Sequence, residues 1–143
     1  MNDPKDGLNA VEIGTTVSLS KTIGEYDVYS FAGITGDFSP NHVNEEYMKG
    51  TPYGTRIAHG VLGMGFASTA SSMVLANLTQ YPCVSYGYDR IRFVKPILIG
   101  DTITVTYTVQ EKVVEKNQLR SQVTITNQHG EVATVATHIL QFV

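Results

Sequence analysis

The sequence contains a long stretch without any charged side chain, between Arg56 and Asp89. Serine, threonine, asparagine and glutamine interrupt this stretch, so it holds no unbroken apolar run of the length that crosses a membrane. A helix buried inside a folded domain accounts for both observations, because such a helix avoids charge on all sides. We therefore predict one long, largely buried helix from about residue 59 to residue 77.

The predicted helix carries three glycines, Gly60, Gly63 and Gly65, and each weakens a helix by about 1 kcal/mol relative to alanine. Glycine also allows another part of the chain to approach the helix backbone closely. We therefore expect Gly63 and Gly65 to face close backbone neighbours, which a curved sheet would supply.

Several other segments show the pattern of strands. Between residues 101 and 109, threonines alternate with Ile103, Val105, Tyr107 and Val109, which is the two-residue period of a strand with one buried face. Further strands are predicted at 15–21, 84–94, 118–126 and 131–143. Short connections between consecutive strands imply an antiparallel sheet. We predict an α+β fold in which this antiparallel β-sheet wraps around the long central α-helix.

A short helix is predicted to open near residues 23–27 and to end at Gly36. Its apolar residues recur at roughly helical spacing; they are Tyr26, Tyr29, Phe31 and Ile34. The three aromatic residues among them are expected in the core. An irregular segment rich in Gly, Pro, Asn and Thr follows, from residue 37 to residue 57. No linker or repeat is visible, so residues 1–143 are expected to form a single domain.

Composition argues against several classes of partner. The net charge of −3 and the pI near 5.7 oppose binding to nucleic acid or to an anionic membrane, because both require a basic surface. Cys83 is the only cysteine, so no intrachain disulfide can form, and a reducing cytoplasm is the expected compartment. Residues 1–6 lack a basic start followed by an apolar run, so we expect no secretory signal.

The segment Gly36-Asp37-Phe38-Ser39-Pro40-Asn41-His42 places a carboxylate and an imidazole close together, with a proline that stiffens the backbone between them. Asp37 and His42 could therefore converge on one water, which one side chain deprotonates while the other orients it or protonates the product. A turn in which Asp37 caps a helix and His42 makes a structural hydrogen bond would use the same residues. This segment alone leaves both interpretations open.

A second segment, Arg56-Ile57-Ala58-His59-Gly60, lies at the start of the predicted central helix. The N-terminus of a helix offers unpaired backbone N–H groups and a partial positive charge. Gly60 has no side chain, so a ligand oxygen could approach its N–H closely, as stabilisation of an enolate-like thioester oxygen requires. His59 and Gly60 could instead form only a helix cap and a close contact between helix and sheet.

Together these segments resemble the MaoC-like dehydratases, and in particular the (R)-specific enoyl-CoA hydratases. The run from Gly36 to His42 is similar to the hydratase motif of that family, and residues 57–60 are similar to its second signature. A third similarity covers residues 92–96 and the following Gly100-Asp101. Ser39 and Asn41 differ from the residues that are commoner in the family, which bears on the substrate rather than on the type of reaction.

The resemblance implies a hot-dog fold, a homodimer, and a hydro-lyase that reversibly hydrates trans-2-enoyl-CoA to (R)-3-hydroxyacyl-CoA. It implies that Asp37 and His42 form the catalytic pair, and that the Gly60 N–H binds the thioester oxygen. Ser68 matches a position that helps to line the acyl pocket. The expected partner is an acyl-CoA thioester, and neither a cofactor nor a metal is expected.

The alternatives differ in carrier or in chemistry. A 3-hydroxyacyl-ACP dehydratase would share these residues, and the sequence does not distinguish coenzyme A from acyl carrier protein. A non-catalytic acyl-thioester-binding protein would be expected to lose Asp37, His42 or Gly60, and all three are present. A thioesterase on the same fold usually has a carboxylate on the central helix, where this chain has none. A metal site made of Asp37, His42 and His59 would lack a recognised ligand spacing.

Overall fold

The computed structural model describes residues 3–143, in which short N-terminal helices precede a C-terminal run of strands. In chain order the elements are α1 (Pro4–Ala10), β1 (Thr16–Thr22), α2 (Glu25–Thr35), α3 (Pro40–Val43), α4 (Glu45–Lys49), α5 (Gly60–Val74), β2 (Cys83–Phe93), β3 (Thr102–Val113), a 3₁₀ helix (Val114–Lys116), β4 (Gln118–Thr126) and β5 (Val132–Phe142). None of the helices described is long and apolar enough to cross a membrane.

The strands form one sheet in the order β1-β3-β4-β5-β2, and every neighbouring pair is antiparallel. Val123 on β4 lies opposite Tyr107 on β3 and opposite Ala136 on β5, and all three are buried. The alternation of buried and partly exposed residues thus continues from strand to strand and gives the sheet one apolar face.

The apolar face of the sheet packs against α5. Met64, Ala67 and Ala70 of this helix share one buried cluster with residues from the central strands, including Ile103, Val105, Tyr107, Val123 and Ile125. The predicted antiparallel sheet around a central helix is therefore confirmed. Because the helix begins at Gly60, its N-terminus lies directly after the Arg56–His59 segment.

The prediction that the central helix is largely buried is wrong for half of its surface. Gly63, Ala67 and Ser71 are buried against the sheet, whereas the opposite face is exposed. The exposed residues are Val61, Gly65, Ser68, Thr69, Ser72 and Met73. A single sheet covers only one side of a helix, so the lack of charge on the other side is not explained by packing within this chain.

The predicted core residues of the short helix α2 are also mostly wrong. Tyr26 and Tyr29 are 82% and 40% exposed, and the helix buries Val28 and Ala32 instead. Helix geometry accounts for this result. Val28 and Ala32 lie about one turn apart on the buried side, and Tyr26, two residues before Val28, therefore points to the opposite side.

Gly63 and Gly65 test the packing of α5 as a matched pair. A Cβ at Gly63 would lie 3.1 Å from Ile125 Cδ1, whereas a Cβ at Gly65 would meet nothing within 4 Å. Gly63 therefore has a close side-chain neighbour rather than the expected backbone neighbour, and the expectation for Gly65 is wrong.

We expect Gly63→Leu to lower the free energy of unfolding by about 1–3 kcal/mol, because the larger side chain overpacks the helix–sheet contact. Gly65→Ala is the control and should raise stability by about 0.5–1 kcal/mol through helix propensity. Urea denaturation followed by circular dichroism measures both values. Equal effects at the two positions would contradict the packing of α5 described above.

Candidate active site

Three side chains from the two sequence motifs converge in the folded chain. Asp37, His42 and His59 each contribute one side-chain oxygen or nitrogen, and these atoms all lie within 4.8 Å of one another. The turn after α2 directs the first of them, because Gly36 adopts the left-handed conformation (φ 80°) and its N–H donates to the Ala32 carbonyl. Pro40 then begins α3, which carries His42.

The ring of His42 is half-buried and has a defined orientation. Its Nδ1 lies 2.7 Å from the carbonyl oxygen of Ile57. A carbonyl only accepts hydrogen bonds, so Nδ1 carries the hydrogen and Nε2 is left as the acceptor. The Ile57 N–H in turn donates to the Asn41 carbonyl at 3.0 Å, which ties the two motifs together. In the neutral tautomer that this bond favours, His42 Nε2 is the nitrogen suited to accept a proton.

The Asp37 carboxylate is 52% exposed, and only part of it is used in the turn. Asp37 Oδ1 accepts a hydrogen bond from the Ser39 N–H at 3.2 Å, and Oδ2 lies 3.9 Å from His59 Nε2. The N-cap residue of α3 is Ser39, and no side chain caps that helix. Asp37 is thus not a helix cap. A water between Asp37 and His42 could reach both groups, because two hydrogen bonds of about 2.8 Å span their separation.

A cavity of about 270 Å³ lies beside this pair, at the N-terminus of α5. His42, Gly60, Phe93 and Thr134 contribute to its wall, whereas Asp37 lies outside it. As the first residue of α5, Gly60 has a backbone N–H without an intrahelical acceptor. His42 and Gly60, whose N–H has no intrahelical acceptor, therefore lie in the wall of one cavity.

Phe93 is a wall residue that the sequence analysis did not identify. A Cβ on Gly60 would lie 2.9 Å from the Phe93 ring, so the absence of a side chain at Gly60 is what admits this ring. Phe93 ends β2 and lies opposite Thr134 of β5 in the sheet. The only sequence signal was its place in the third family-like segment, which assigned it no role.

Ser68 does not reach this cavity within one chain. It lies two turns beyond Gly60 on the exposed face of α5, and it does not contribute to the cavity wall. Its carbonyl accepts hydrogen bonds from the hydroxyls of Ser71 at 2.7 Å and Ser72 at 3.3 Å. Its expected role in an acyl pocket therefore requires a surface that this chain alone does not provide.

Arg56 anchors the segment that leads into α5. Its Nε donates to Glu45 Oε2 at 3.0 Å, its Nη1 donates to the Tyr29 hydroxyl at 2.8 Å, and its Nη2 pairs with Glu25. The hydrogen bond to Glu25 raises the pKa of Arg56 above its ordinary value, and the backbone N–H of Arg56 lowers the pKa of Glu45. These contacts join α2 and α4 to the residues directly before His59.

The geometry of the two histidines does not support the metal alternative. Their rings stack with centroids 3.7 Å apart and planes 28° apart. Nitrogen lone pairs lie in the ring plane, and the planes of two stacked rings do not meet close to the rings, so one ion at bonding distance could not lie in both planes. In addition, His42 Nδ1 and His59 Nε2 each face a backbone carbonyl.

A separate polar cluster surrounds His138, away from the cavity wall. His138 Nε2 lies 2.8 Å from Ser85 Oγ, its Nδ1 lies 2.9 Å from the Tyr107 hydroxyl, and its ring stacks on Tyr88. Burial lowers the pKa of His138 to about 4, so its ring is uncharged at neutral pH. These bonds link β2, β3 and β5. We therefore interpret His138 as a structural residue of the sheet and not as part of the candidate site.

The sequence and the fold both match one family of proteins. The MaoC like domain matches residues 9–133, and the chain belongs to this family. An (R)-specific enoyl-CoA hydratase of Rhodospirillum rubrum is 42% identical over 116 residues, which are 81% of this chain and 78% of that protein. A 3-hydroxybutyryl-CoA dehydratase of Methylorubrum extorquens is 38% identical over 110 residues, which are 77% of this chain and 68% of that protein.

Solved structures show the same fold. The unliganded R-hydratase PhaJ1 of Pseudomonas aeruginosa superposes with a TM-score of 0.80 at 28% identity, covering 94% of this chain and 84% of that chain. An (R)-hydratase of A. caviae, described as involved in PHA biosynthesis, superposes with a TM-score of 0.78 at 26% identity and covers 92% and 97%. The predicted hot-dog fold is thereby confirmed.

Proposed function

We propose that this protein is a hydro-lyase that reversibly adds water to trans-2-enoyl-CoA and forms (R)-3-hydroxyacyl-CoA. The observation that carries the proposal is the convergence of the Asp37 carboxylate and the His42 ring, which lines the cavity at the N-terminus of α5. The names of the relatives from R. rubrum and M. extorquens support the same reaction.

In the proposed mechanism, a water is held between Asp37 and His42. His42 Nε2 accepts a proton from this water while the water oxygen bonds to C3 of the enoyl group. The electron pair of the double bond moves toward the thioester, whose oxygen accepts a hydrogen bond from the Gly60 N–H. The Asp37–His42 pair then delivers the proton, which His42 took from the water, to C2. Because both groups lie on one side of the substrate, hydroxyl and proton add to the same face.

The decisive experiment follows the absorbance of the conjugated enoyl thioester after crotonyl-CoA or a longer enoyl-CoA is added to the purified protein. We expect the absorbance to fall and chiral analysis to give the (R)-3-hydroxyacyl product. A parallel assay with the same acyl group on acyl carrier protein tests the alternative carrier. Unchanged absorbance with every enoyl thioester, or an (S) product, would overturn the proposal.

The proposal includes a homodimer, and two exposed surfaces support it. The outer face of α5 is uncharged, and β2 is an edge strand with exposed Val84 and Tyr86. Edge strands are ready to pair with another chain, and exposed apolar surface favours association. A second copy over α5 would also enclose Ser68, which we propose as a residue that lines the acyl pocket.

Light scattering after gel filtration tests the dimer. We expect a mass of twice 15.6 kDa for the native protein and a shift toward 15.6 kDa for Tyr86→Lys. Val114→Lys is the control, because this residue is also half-exposed but lies on the 3₁₀ helix outside the sheet edge. A native monomer, or equal dissociation of both variants, would argue against pairing through β2.

The same proposal treats residues 1–143 as one functional domain and places it in the cytoplasm. A single cysteine suits a reducing compartment. Burial raises the pKa of the Cys83 thiol to about 11, so this cysteine is a poor nucleophile and has no part in the proposed chemistry.

A further inference from the structure

His59 is buried at the junction between the two motifs, with only 3% of its side chain exposed. It is the N-cap residue of α5, yet its side chain makes no capping hydrogen bond to that helix. His59 thus occupies the N-cap position, as the alternative interpretation expected, but its side chain does not cap the helix. A histidine that is buried at a helix start without capping it needs another explanation.

The ring of His59 is bonded to the backbone of Asp37. Its Nε2 lies 3.0 Å from the Asp37 carbonyl oxygen, across 22 residues of sequence. The carbonyl can only accept, so Nε2 carries the hydrogen and donates it. This bond fixes the peptide unit that carries the Asp37 carboxylate.

The His59 ring also contacts two other rings, and one of these is His42. One contact is Phe31 of α2, with ring centroids 4.6 Å apart, and another is the stacked ring of His42 at 3.7 Å. The plane of His42 is thus set by stacking, and its rotation within that plane is set by the bond from Nδ1 to Ile57. His59 therefore touches both members of the proposed catalytic pair.

The remaining nitrogen of His59 shows that packing alone does not account for the residue. Nδ1 is buried and has no hydrogen-bond partner among residues 3–143. An unsatisfied buried acceptor is unfavourable, and an apolar ring of similar size would avoid it. The hydrogen bond from Nε2 is the property that such an apolar ring could not supply.

We infer that His59 is a positioning residue, which holds the Asp37 backbone by a hydrogen bond and the His42 ring by stacking. It does not contribute to the cavity wall, so it acts through these two residues rather than on the substrate. This inference rests on the proposed function of the Asp37–His42 pair.

Two substitutions of His59 test its hydrogen bond to Asp37 and its stacking on His42 separately. His59→Gln keeps an N–H donor near the position of Nε2 but loses the stacking, whereas His59→Phe keeps a stacking ring but loses the donor. We expect His59→Phe to lower kcat by about 10–100-fold with little change in KM, because it displaces Asp37, which lies outside the cavity wall, and keeps the stacking on His42. His59→Gln should recover a large part of that kcat through the restored bond to Asp37.

Hydrogen exchange gives a readout that does not depend on turnover. We expect His59→Phe to speed exchange of the backbone amides of Ser39 and His42, which donate to Asp37 Oδ1 and to the Ser39 carbonyl. His59→Gln should leave these rates near those of the native protein. Thermal unfolding of both variants shows whether the fold itself has changed.

The outcomes distinguish this inference from the proposed function. If the native protein hydrates enoyl thioesters and both variants keep its kcat and its exchange rates, the positioning role of His59 is refuted. If His59→Phe keeps the native kcat and exchange rates while His59→Gln loses them, the bond to Asp37 is not a positioning contact, and that part of the inference fails. A native protein without hydratase activity would refute the proposed function, while the exchange rates would still test the bond to Asp37.

Discussion

Asp37→Asn and His42→Asn should each lower turnover by about 10²–10⁴-fold, which is the range for loss of a general acid–base group. Both changes preserve local contacts. An amide at position 37 can still accept the hydrogen bond from the Ser39 N–H, and an asparagine at position 42 can still donate to the Ile57 carbonyl. The Asp37 variant loses the carboxylate charge, and the His42 variant loses the ring nitrogen Nε2. The measurement is kcat for hydration of crotonyl-CoA.

The double variant provides the internal control. Because the two side chains act on one water, removing the second should cost far less than the product of the two single effects. Strictly multiplicative losses would indicate that Asp37 and His42 act at separate steps. A single variant that keeps activity within a few-fold of the native protein would remove that residue from the mechanism.

Gly60→Pro should lower kcat by about 10²–10³-fold relative to Gly60→Ala, because only the proline removes the backbone N–H that is proposed to bind the thioester oxygen. Proline is favoured at the first position of a helix, and the residue before it, His59, is already extended (φ −59°, ψ 129°). Both variants add a Cβ against the Phe93 ring, so the effect of that contact cancels in the comparison.

The absorbance assay used for the native enzyme measures both position 60 variants, and circular dichroism checks that they fold. If alanine and proline reduce kcat equally, the Phe93 contact and not the N–H is responsible. In that case the oxygen of the thioester would be bound elsewhere, and the proposed role of Gly60 would be withdrawn.

Much of the sheet was predictable from the sequence, because alternation is a local property. The predicted strand at residues 118–126 coincides with β4, and the helix predicted to begin near residue 59 begins at Gly60. The helix α1 and the two helices between residues 37 and 57 were not predicted. All three are short, and two of them depend on a single side-chain cap: Asp3 accepts from the Lys5 N–H in α1, and Asn44 accepts from the Tyr47 N–H in α4.

The candidate site was predictable only in part. Asp37, His42 and Gly60 were identified from motifs, and the structure brings His42 and Gly60 to one cavity. The bond from His59 to Asp37 and the contact of Phe93 with Gly60 join residues that are distant in sequence, so no local pattern contains them. The exposure of Tyr26 and of the outer face of α5 was missed for a similar reason, since periodicity does not report how many sides of a helix are covered.

The position of Phe93 on an edge strand connects ligand affinity with protein concentration. Its ring rests on Gly60, and its strand, β2, is the one proposed to pair with a second copy. If pairing along β2 holds this ring in place, thioester binding and self-association are thermodynamically linked, and each must strengthen the other by the same factor. The apparent dissociation constant for an enoyl thioester would then rise on dilution, and saturating ligand would keep the dimer together at concentrations where the free protein separates.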